Sequence, residues 1–399
     1  MREAVIVDAI RTPIGKGKPG GGLSGWHPVD LLAATLDGVL ARNDVEPASV
    51  DDVIAGCVSQ AGEQTLNVAR NAVLAAGLPE SVPATTIDRQ CGSSQQALHF
   101  ATQAIVSNSY DTAIAAGVES MSRVPMWSSL MGMDPYSPGI TARYEGGLIP
   151  QGISAELIAA KWGLSRNQLD SFAARSHELL TAASARGGVE RELLPIDVDR
   201  GEGPTGETMT QDEGARPGTT PDSLADLKPA FEDPAWLERF PQLKWVIHAG
   251  NSSQISDGAA ATLLMERSKA EQLGLQPRAR VHSMAVVGDD PIYMLTGVIP
   301  ATSKVLDRAG LTVDDIDAFE VNEAFAPVVL AWLHETGADP ERVNQHGGAI
   351  ANGHPLGATG AKLMATLINV LEQREGRFGL QVVCEGGGMA NATIIERLG

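Results

Sequence analysis

The sequence contains little cysteine: only Cys57, Cys91 and Cys384 occur in 399 residues. An odd number of widely spaced cysteines does not read as a disulfide framework, so the composition favours a reducing compartment and a cytoplasmic protein. The close ligand pairs of a zinc site are also missing, since Cys91, His354 and Cys384 lie far apart along the chain. We therefore predict no metal site.

Basic residues are scarce as well. The chain has 30 Lys and Arg against 49 Asp and Glu, a formal net charge of −19 and a pI near 4.8. The resulting negative field opposes binding to nucleic acid or to an anionic membrane. No apolar run approaches the roughly 18 residues of a membrane span, and acidic residues interrupt the N-terminal stretch that a signal peptide would need. We predict a soluble protein without membrane insertion or nucleic-acid partners.

Apolar residues and glycine are plentiful, at 43% and 43 residues, which is enough for a large core. Short apolar segments alternate with segments of helical periodicity, and this order predicts an α/β fold. The predicted strands are Ala4–Ala9, Val53–Cys57 and Thr112–Gly117, and the predicted helices are Pro28–Arg42 and Gln95–Ser107.

Residues 121–249 interrupt this alternation with clusters of Pro, Gly, Ser and Met, a helical stretch over Ile153–Arg186 and the Gly/Pro-rich segment Arg200–Pro221. We interpret them as an inserted loop domain that covers the active site. The predicted organisation is an N-terminal half (1–120 plus 250–270), this loop domain, and a C-terminal half (271–399).

The C-terminal half resembles the N-terminal half. The segment Val50–Ile54 is similar to Val313–Asp317, 263 residues later, and the same offset relates Cys91 to His354. Each of these two residues precedes a glycine-containing turn and a helical run. Two related halves that face each other would bring a thiol and an imidazole to a shared interface.

Cys91 lies at the predicted first turn of a helix, in Gln90-Cys91-Gly92-Ser93-Ser94. Backbone N–H groups and the helix dipole stabilise a thiolate there, so we predict a lowered thiol pKa and a nucleophile. The alternative is a small buried hydrophobic residue, the usual role of a free cysteine. Cys57 lacks comparable surroundings and is assigned to the core.

His354 lies in Gly347–Gly360, whose many glycines indicate close approach of the backbone to a ligand or to another loop. A histidine there is within its working pKa range and could deprotonate a thiol. The alternative is an imidazole held by loop carbonyls. His346, in the same loop, is assigned to that supporting role.

Two more segments place polar groups after apolar strands. Cys384 precedes the glycines Gly386–Gly388, whose N–H groups can bind a developing oxyanion. Asn322 has an amide that can hold a water or a carbonyl oxygen. The structural alternatives are a buried strand-end thiol for Cys384 and a helix N-cap for Asn322.

Together these segments resemble the thiolase family, in the expected order along nearly the whole chain. The matching blocks are Arg11–Gly15, Cys91–Ser94, Gly117–Ser122, Ala249–Ala260, Asn322–Phe325, Gly353–Gly360 and Cys384–Gly388.

The resemblance implies roles for the matching residues. Cys91 would be the acylated nucleophile, His354 the base that activates it, and Cys384 the acid/base at the α-carbon. Asn322 with His354 would form one oxyanion site, partly through a water. The backbone N–H groups of Cys91 and Gly386 would form the other.

It also implies a five-layered αβαβα fold of two similar halves with an inserted loop domain, and a homodimer or homotetramer. Coenzyme A would be a substrate and no cofactor would be permanently bound. Ser253 matches a position that touches the pantetheine arm of coenzyme A, and Arg216 falls near its nucleotide end.

The sequence departs from the family at Ser94, where many members have glycine, and at Pro150–Glu156, where many have a His-Met-Gly segment lining the acyl pocket. The segment Asp88–Gln96 is most similar to thiolases of actinobacterial lipid or steroid breakdown, which argues against a strict acetoacetyl-coenzyme A preference.

The resemblance predicts an acyltransferase that cleaves or forms 3-ketoacyl-coenzyme A. The alternatives are a decarboxylating ketoacyl synthase, which would not need Cys384, and a non-catalytic acyl-coenzyme A-binding protein, which would not need all three groups. A papain-like protease would require a local signature that is missing here.

Overall fold

The predicted alternation of strands and helices is present in a computed structural model that describes residues 2–399. The strands are β1 Ala4–Arg11, β2 Gly15–Lys16, β3 Asp52–Gly56, β4 Ala84–Ile87, β5 Thr112–Ser120, β6 Ile196–Asp199, β7 Pro204–Met209, β8 Ser256–Glu266, β9 Ala279–Gly288, β10 Ala318–Val321, β11 Phe378–Glu385 and β12 Met389–Arg397. The helices are α1 Pro28–Arg42, α2 Val68–Ala75, α3 Ser93–Val106, α4 Pro138–Arg143, α5 Gln151–Lys161, α6 Arg166–Ala185, α7 Pro221–Leu224, α8 Trp236–Arg239, α9 Arg267–Gln272, α10 Val298–Ala309, α11 Ala326–Thr336, α12 Ala349–Asn352 and α13 Thr359–Arg374.

The strand order of the main sheet is nearly symmetric about its centre. Its order is β10-β11-β12-β9-β1-β8-β5-β3-β4, with β2 paired to β8. The pairs β3/β4, β3/β5 and β10/β11 are parallel, and the others on this path are antiparallel. Corresponding strands of the two halves therefore lie on opposite sides of the central pair β1/β9.

Helices on both faces of each half-sheet produce the five predicted layers. Helices α1 and α2 pack on the outside of the first half-sheet, and α10 and α11 pack on the outside of the second. Helices α3 and α13 lie between, in a core cluster that takes residues from both halves, including Ile54, Leu264, Ala318 and Ile395. Packing from both sides leaves α13 buried over most of its length, from Thr359 to Leu371. The predicted fold is confirmed.

The register of the internal repeat differs from the predicted one by three residues. Asp51 donates its backbone N–H to the carbonyl of Thr112, as Asp317 does to that of Phe378, and both matching pairs are 266 residues apart. The central helices begin at Ser93 and Thr359, which are also 266 apart. The counterpart of Cys91 is therefore Gly357, and the proposed equivalence of Cys91 with His354 is wrong.

The segment between β5 and β8 is more ordered than the sequence suggested. The single helical stretch predicted over Ile153–Arg186 is two helices, because Gly163 has a φ of +64° and Ser165 caps α6 together with Gln168. The Gly/Pro-rich segment Arg200–Pro221 contains a strand, β7, which pairs with β6. No helix within residues 2–399 has the length and apolarity to cross a membrane.

Candidate active site

Cys91 lies just before α3, whose N-cap residue is Gly92. The turn is fixed by Gln90, which has a φ of +48°, and by the Ser93 hydroxyl, which donates to the Gln90 carbonyl at 2.6 Å and accepts from the Arg89 N–H at 2.9 Å. The thiol is 5% exposed and packs against residues of α13 and β11. The loop thus delivers Cys91 to the space between the two halves.

Cys384 approaches the same space from β11. Its neighbour Val383 packs directly against Cys91, and the Cys384 thiol is itself fully buried. Burial raises the pKa of the Cys91 thiol well above its usual value, and the nearby Cys384 and Glu385 raise it further. The Cys384 thiol is therefore close enough to Cys91 to oppose ionisation of the Cys91 thiol.

The predicted lowering of the Cys91 pKa is thus wrong for the protein without substrate. The helix begins two residues after the thiol, so burial outweighs any helix-terminus effect. Burial, followed by Glu385, likewise raises the pKa of Cys384 to about 12. Both thiols are neutral at pH 7, so a sulfur that acts as a nucleophile would need a base to take its proton.

His354 has the geometry of such a base. The Thr359 hydroxyl donates to the Pro355 carbonyl at 2.9 Å, so its oxygen accepts from Nδ1 of His354 at 2.7 Å. This arrangement places the ring proton on Nδ1 and leaves the lone pair on Nε2. Burial, with a contribution from Lys362, lowers the pKa of His354 to about 3, so the imidazole is neutral rather than within the working range predicted.

Asn322 joins the histidine to the strand of Cys384. Its Nδ2 lies 3.5 Å from Nε2 of His354, and its backbone N–H donates to the Val382 carbonyl at 3.0 Å, two residues before Cys384. Oδ1 of Asn322 is buried and has no hydrogen-bond partner in the described chain. The four side chains of Cys91, His354, Asn322 and Cys384 thus belong to connected elements around one region.

Lys362 supports the turn before the histidine. Its buried ammonium group donates to Oδ1 of Asn352 at 2.6 Å and to the carbonyl of Gly353 at 2.8 Å. Burial, followed by the Arg11 charge, lowers the pKa of Lys362 to about 8. A cation held at this distance fixes the backbone from which His354 projects.

Close backbone contact, as predicted, explains the glycine-rich loop. A Cβ atom at Gly357 would come within 2.6 Å of the Cys57 Cα, and one at Gly360 within 2.2 Å of the Gln95 nitrogen. The Ser94 hydroxyl accepts from the Ala361 N–H at 2.9 Å. Ser94 thus fastens the two central helices together, which is a structural role for a residue that departs from the family pattern.

Comparison with protein families gives two matches that together span almost the whole chain. Residues 4–268 match the model described as "Thiolase, N-terminal domain", and residues 275–397 match "Thiolase, C-terminal domain". The chain belongs to the thiolase family. This thiolase is 48% identical to a steroid 3-ketoacyl-CoA thiolase of Mycobacterium tuberculosis over 408 residues, covering 100% of this chain and 95% of that protein.

Other relatives have the same length. A 3-ketoacyl-CoA thiolase of Citrobacter koseri is 44% identical over 402 residues, with 100% of both chains covered. The crystal structure of the Bacillus anthracis acetyl-CoA acetyltransferase superposes with a TM-score of 0.87 at 34% identity, over 100% of this chain and 99% of that one. The fold and the family are therefore shared along the entire thiolase chain.

The two positions predicted to contact coenzyme A, Ser253 and Arg216, adjoin residues that are hydrogen-bonded to the His354 loop or to each other. Gln254, which follows Ser253, accepts the His354 N–H on its carbonyl at 3.1 Å and donates through Nε2 to the Gly214 carbonyl at 2.9 Å. Ser253 is half-buried, and Arg216, two residues after Gly214, is exposed. Both residues remain candidates for binding the coenzyme A arm.

Cys57 and His346, which the sequence analysis assigned to structural roles, lie away from these groups. Cys57 is buried in the outer core cluster of the N-terminal half. His346 is buried, and burial, followed by Glu192 as an opposing influence, leaves its pKa lowered. Neither is grouped with Cys91, and among residues 2–399 no three His, Cys, Asp or Glu side chains are clustered as metal ligands.

The sequence analysis did not identify several residues that position or influence the predicted catalytic side chains. Thr359 orients the imidazole, Lys362 fixes its turn, and Glu385 lies beside both thiols. Gln151, at the start of α5, has its amide nitrogen 3.3 Å from where a Cβ of Gly386 would lie. The only available signal was the position of each one near a recognised motif.

The hydrogen bond from His354 to Thr359 should affect the rate of thiolysis. Thr359→Val removes the acceptor for Nδ1–H and frees the imidazole to rotate or change tautomer, so we expect kcat for thiolysis to fall by about tenfold. Thr359→Ser, which keeps the hydroxyl, should retain most of the rate. Equal rates in the valine and serine variants would contradict this role of the hydroxyl.

Proposed function

We propose that this thiolase transfers an acyl group between coenzyme A and a 3-ketoacyl-coenzyme A through an acyl-Cys91 intermediate. The proposal rests on two observations: the Cys384 thiol is near enough to raise the pKa of the Cys91 thiol, and Asn322 links the strand of Cys384 to a neutral His354 whose Nδ1 is paired with Thr359. A carrier protein would gain nothing from this combination, and a decarboxylating synthase would not need the second thiol.

In the degradative direction, the Cys91 sulfur adds to the 3-keto carbon while Nε2 of His354 takes the thiol proton. The bond between C2 and C3 then breaks. Cys91 keeps the acyl group as a thioester, and C2, now part of a coenzyme A thioester enolate, takes a proton from Cys384. The products are acyl-enzyme and acetyl-coenzyme A, or its 2-substituted equivalent.

In the second half-reaction, the Cys384 thiolate accepts the proton of free coenzyme A, and the resulting thiolate attacks the acyl-Cys91 thioester. Cys91 leaves and recovers its proton from His354. All groups return to their starting protonation states. Because the pKa values of both thiols are raised, each sulfur is protonated in the resting enzyme and forms a thiolate only transiently, during proton transfer.

Charge that develops on the substrate oxygens would be stabilised at two places. Oδ1 of Asn322 is buried and unpartnered in the described chain, so it can hold a water that, with His354, binds one oxyanion. The backbone N–H groups of Cys91 and Gly386, at the ends of two facing turns, would bind the other. Ser253 and Arg216 would contact the pantetheine and nucleotide parts of coenzyme A.

The substrate class can be tested with a panel of thioesters. The 48% identity to a protein named as a steroid 3-ketoacyl-CoA thiolase, and the departure from the His-Met-Gly pattern at Pro150–Glu156, favour a bulky acyl group. We expect kcat/KM for long-chain or steroid-derived 3-ketoacyl-coenzyme A to exceed that for acetoacetyl-coenzyme A by about tenfold or more.

The assay follows loss of the Mg²⁺-enolate absorbance of the 3-ketoacyl thioester in the presence of free coenzyme A. Reactions without free coenzyme A are the control, because thiolysis requires it and hydrolysis does not. A preference for acetoacetyl-coenzyme A would contradict the proposed substrate class. Absence of turnover with every member of the panel would contradict the enzyme itself.

We also propose that the chain forms a homodimer or homotetramer. Met126, Trp127, Met131 and Met133 of the segment after β5 are apolar and between 38% and 87% exposed in the single chain, and an assembly would cover such residues. The three cysteines are free and buried, which suits a reducing compartment, so we propose a cytoplasmic location.

A further inference from the structure

Glu385 directly follows Cys384 at the end of β11, and its side chain is fully buried. Neither carboxyl oxygen has a hydrogen-bond partner anywhere in residues 2–399. A buried carboxyl group without partners is costly, particularly when ionised, so its presence next to a thiol calls for an explanation. None of the steps proposed above uses it.

The position of the Glu385 carboxyl group explains why residue 92 is a glycine. Oε1 of Glu385 lies against Gly92, where a Cβ atom would come within 1.9 Å of it. Gly92 has a φ of −91°, which any residue can adopt, so the contact with Glu385 is what requires glycine. The Glu385 side chain therefore spans the gap between the strand that carries Cys384 and the turn that carries Cys91.

Four titratable groups face this carboxyl group. Arg89 and Asp88 approach from the segment before α3, and the thiols of Cys91 and Cys384 are near enough for Glu385 to raise the pKa of each. Burial raises the pKa of Glu385 to about 8, while Arg89 opposes the shift and Asp88 adds to it. Arg89 makes no ion pair with Glu385, and its Nη1 instead contacts the Met389 sulfur at 3.8 Å.

On the basis of the proposed function, we propose that Glu385 is a positioning residue for the thiolase reaction. In its neutral form, the Glu385 side chain packs between the strand that carries Cys384 and the turn that carries Cys91. The neutral form also places no negative charge beside either thiol. Once ionised, it opposes the formation of a thiolate at Cys91 or Cys384. Glu385 therefore sets the upper end of the pH range in which both sulfurs can react.

The test replaces the acid by groups that cannot ionise, in Glu385→Gln and Glu385→Met. The rate of iodoacetamide alkylation at Cys91 and at Cys384, resolved by peptide mass spectrometry, is measured between about pH 6 and pH 10. Both thiol pKa values lie above most of this range, so the alkylation rate itself is the readout. Near pH 10, where Glu385 is ionised in the wild type, we expect the rate to rise by about tenfold in both variants, equivalent to about one pH unit, because a nearby negative charge is gone. Near pH 6 it should equal the wild-type rate. The alkaline limb of kcat/KM should extend by a similar amount.

Glu320→Gln is the matched control. Glu320 is another fully buried carboxyl group with an unpartnered oxygen, and burial raises its pKa well above the usual value, but it lies on β10 and is not among the groups that influence either thiol. This variant should keep the wild-type alkylation profile. A shift equal to that of the Glu385 variants would overturn the proposal.

An unchanged alkylation profile in whichever Glu385 variant folds would also overturn the proposal. Alkylation does not depend on turnover, so this result is separate from the fate of the proposed function. A shifted profile in a protein that cleaves no member of the thioester panel would overturn the thiolase assignment while supporting the electrostatic action of Glu385 on the thiols.

Discussion

Cys91→Ala is expected to reduce thiolysis by about 10⁴-fold or more, because no other group can form the acyl-enzyme and the reaction loses its covalent route. The fold should survive, since Cys91 lies in a small apolar cluster with Leu363 and Val383 and its replacement by alanine removes one heavy atom. Activity is measured with the preferred 3-ketoacyl-coenzyme A and free coenzyme A, and folding by circular dichroism and thermal unfolding.

Cys384→Ala is expected to separate the two half-reactions. Cleavage of the carbon–carbon bond should fall by about 10³-fold or more, because the enolate loses its proton donor. Acylation of Cys91 by an acyl-coenzyme A involves no proton transfer to carbon, and His354 can pass the Cys91 proton to the departing coenzyme A and take it back. Exchange of labelled coenzyme A into acyl-coenzyme A should therefore remain measurable. In Cys91→Ala both the cleavage and the exchange should be lost.

Cys57→Ala is the control for these two variants. Cys57 is buried in the outer cluster of the N-terminal half and faces Glu119, with its sulfur 4.0 Å from that carboxylate. Its replacement should leave thiolysis within about twofold of the wild type, with a small loss of stability. Full activity in Cys91→Ala, or equal loss of exchange in both catalytic variants, would refute the assignment of roles.

Local sequence patterns predicted most of the scaffold. Helix α1 begins and ends at the predicted residues, and β1, β3, β5 and α3 differ by only a few residues at their ends. These elements are buried and strongly periodic, so hydrophobic spacing alone defines them. The break between α5 and α6 was missed because Gly163 and Ser165 are short signals within a long apolar pattern.

The site was harder to derive because its properties are set by tertiary contacts. A cysteine near a helix start suggested a lowered pKa, yet burial and the neighbours Cys384 and Glu385 raise it. The tautomer of His354 depends on Thr359, five residues away, and on a carbonyl that the hydroxyl binds. Sequence motifs can identify such residues, whereas the charge each one bears depends on what folding places around it.

A buried ion cluster around Arg11 is also formed by residues distant in the sequence, and its disruption has the largest expected effect on stability. Arg11, at the end of β1, is fully buried and bonds Oδ1 of Asp212 at 2.7 Å, Oδ2 of Asp212 at 3.0 Å and Oε1 of Glu192 at 2.8 Å. Glu192 also accepts from Thr366 on α13 at 3.0 Å. One guanidinium group thus ties β1 to two segments of the insertion and to the helix that follows the His354 loop.

Arg11→Met is expected to lower the free energy of unfolding by about 3–5 kcal/mol, because it leaves two buried carboxylates without their cation. A buried carboxylate without a partner costs more free energy than the same group in its neutral form. The deficit relative to the wild type should therefore be smaller near pH 5 than near pH 8. Urea unfolding at both pH values measures it.

Arg191→Met provides the comparison, because Arg191 also pairs with a glutamate, Glu372, at 2.7 Å, but its side chain is 61% exposed. Solvent screens that pair, so its loss should cost at most about 1 kcal/mol and should vary little with pH. If Arg11→Met were no more destabilising than Arg191→Met, the buried cluster would not hold the insertion against the central helix. A deficit independent of pH would instead assign the loss to packing of the Arg11 side chain and not to the stranded carboxylates.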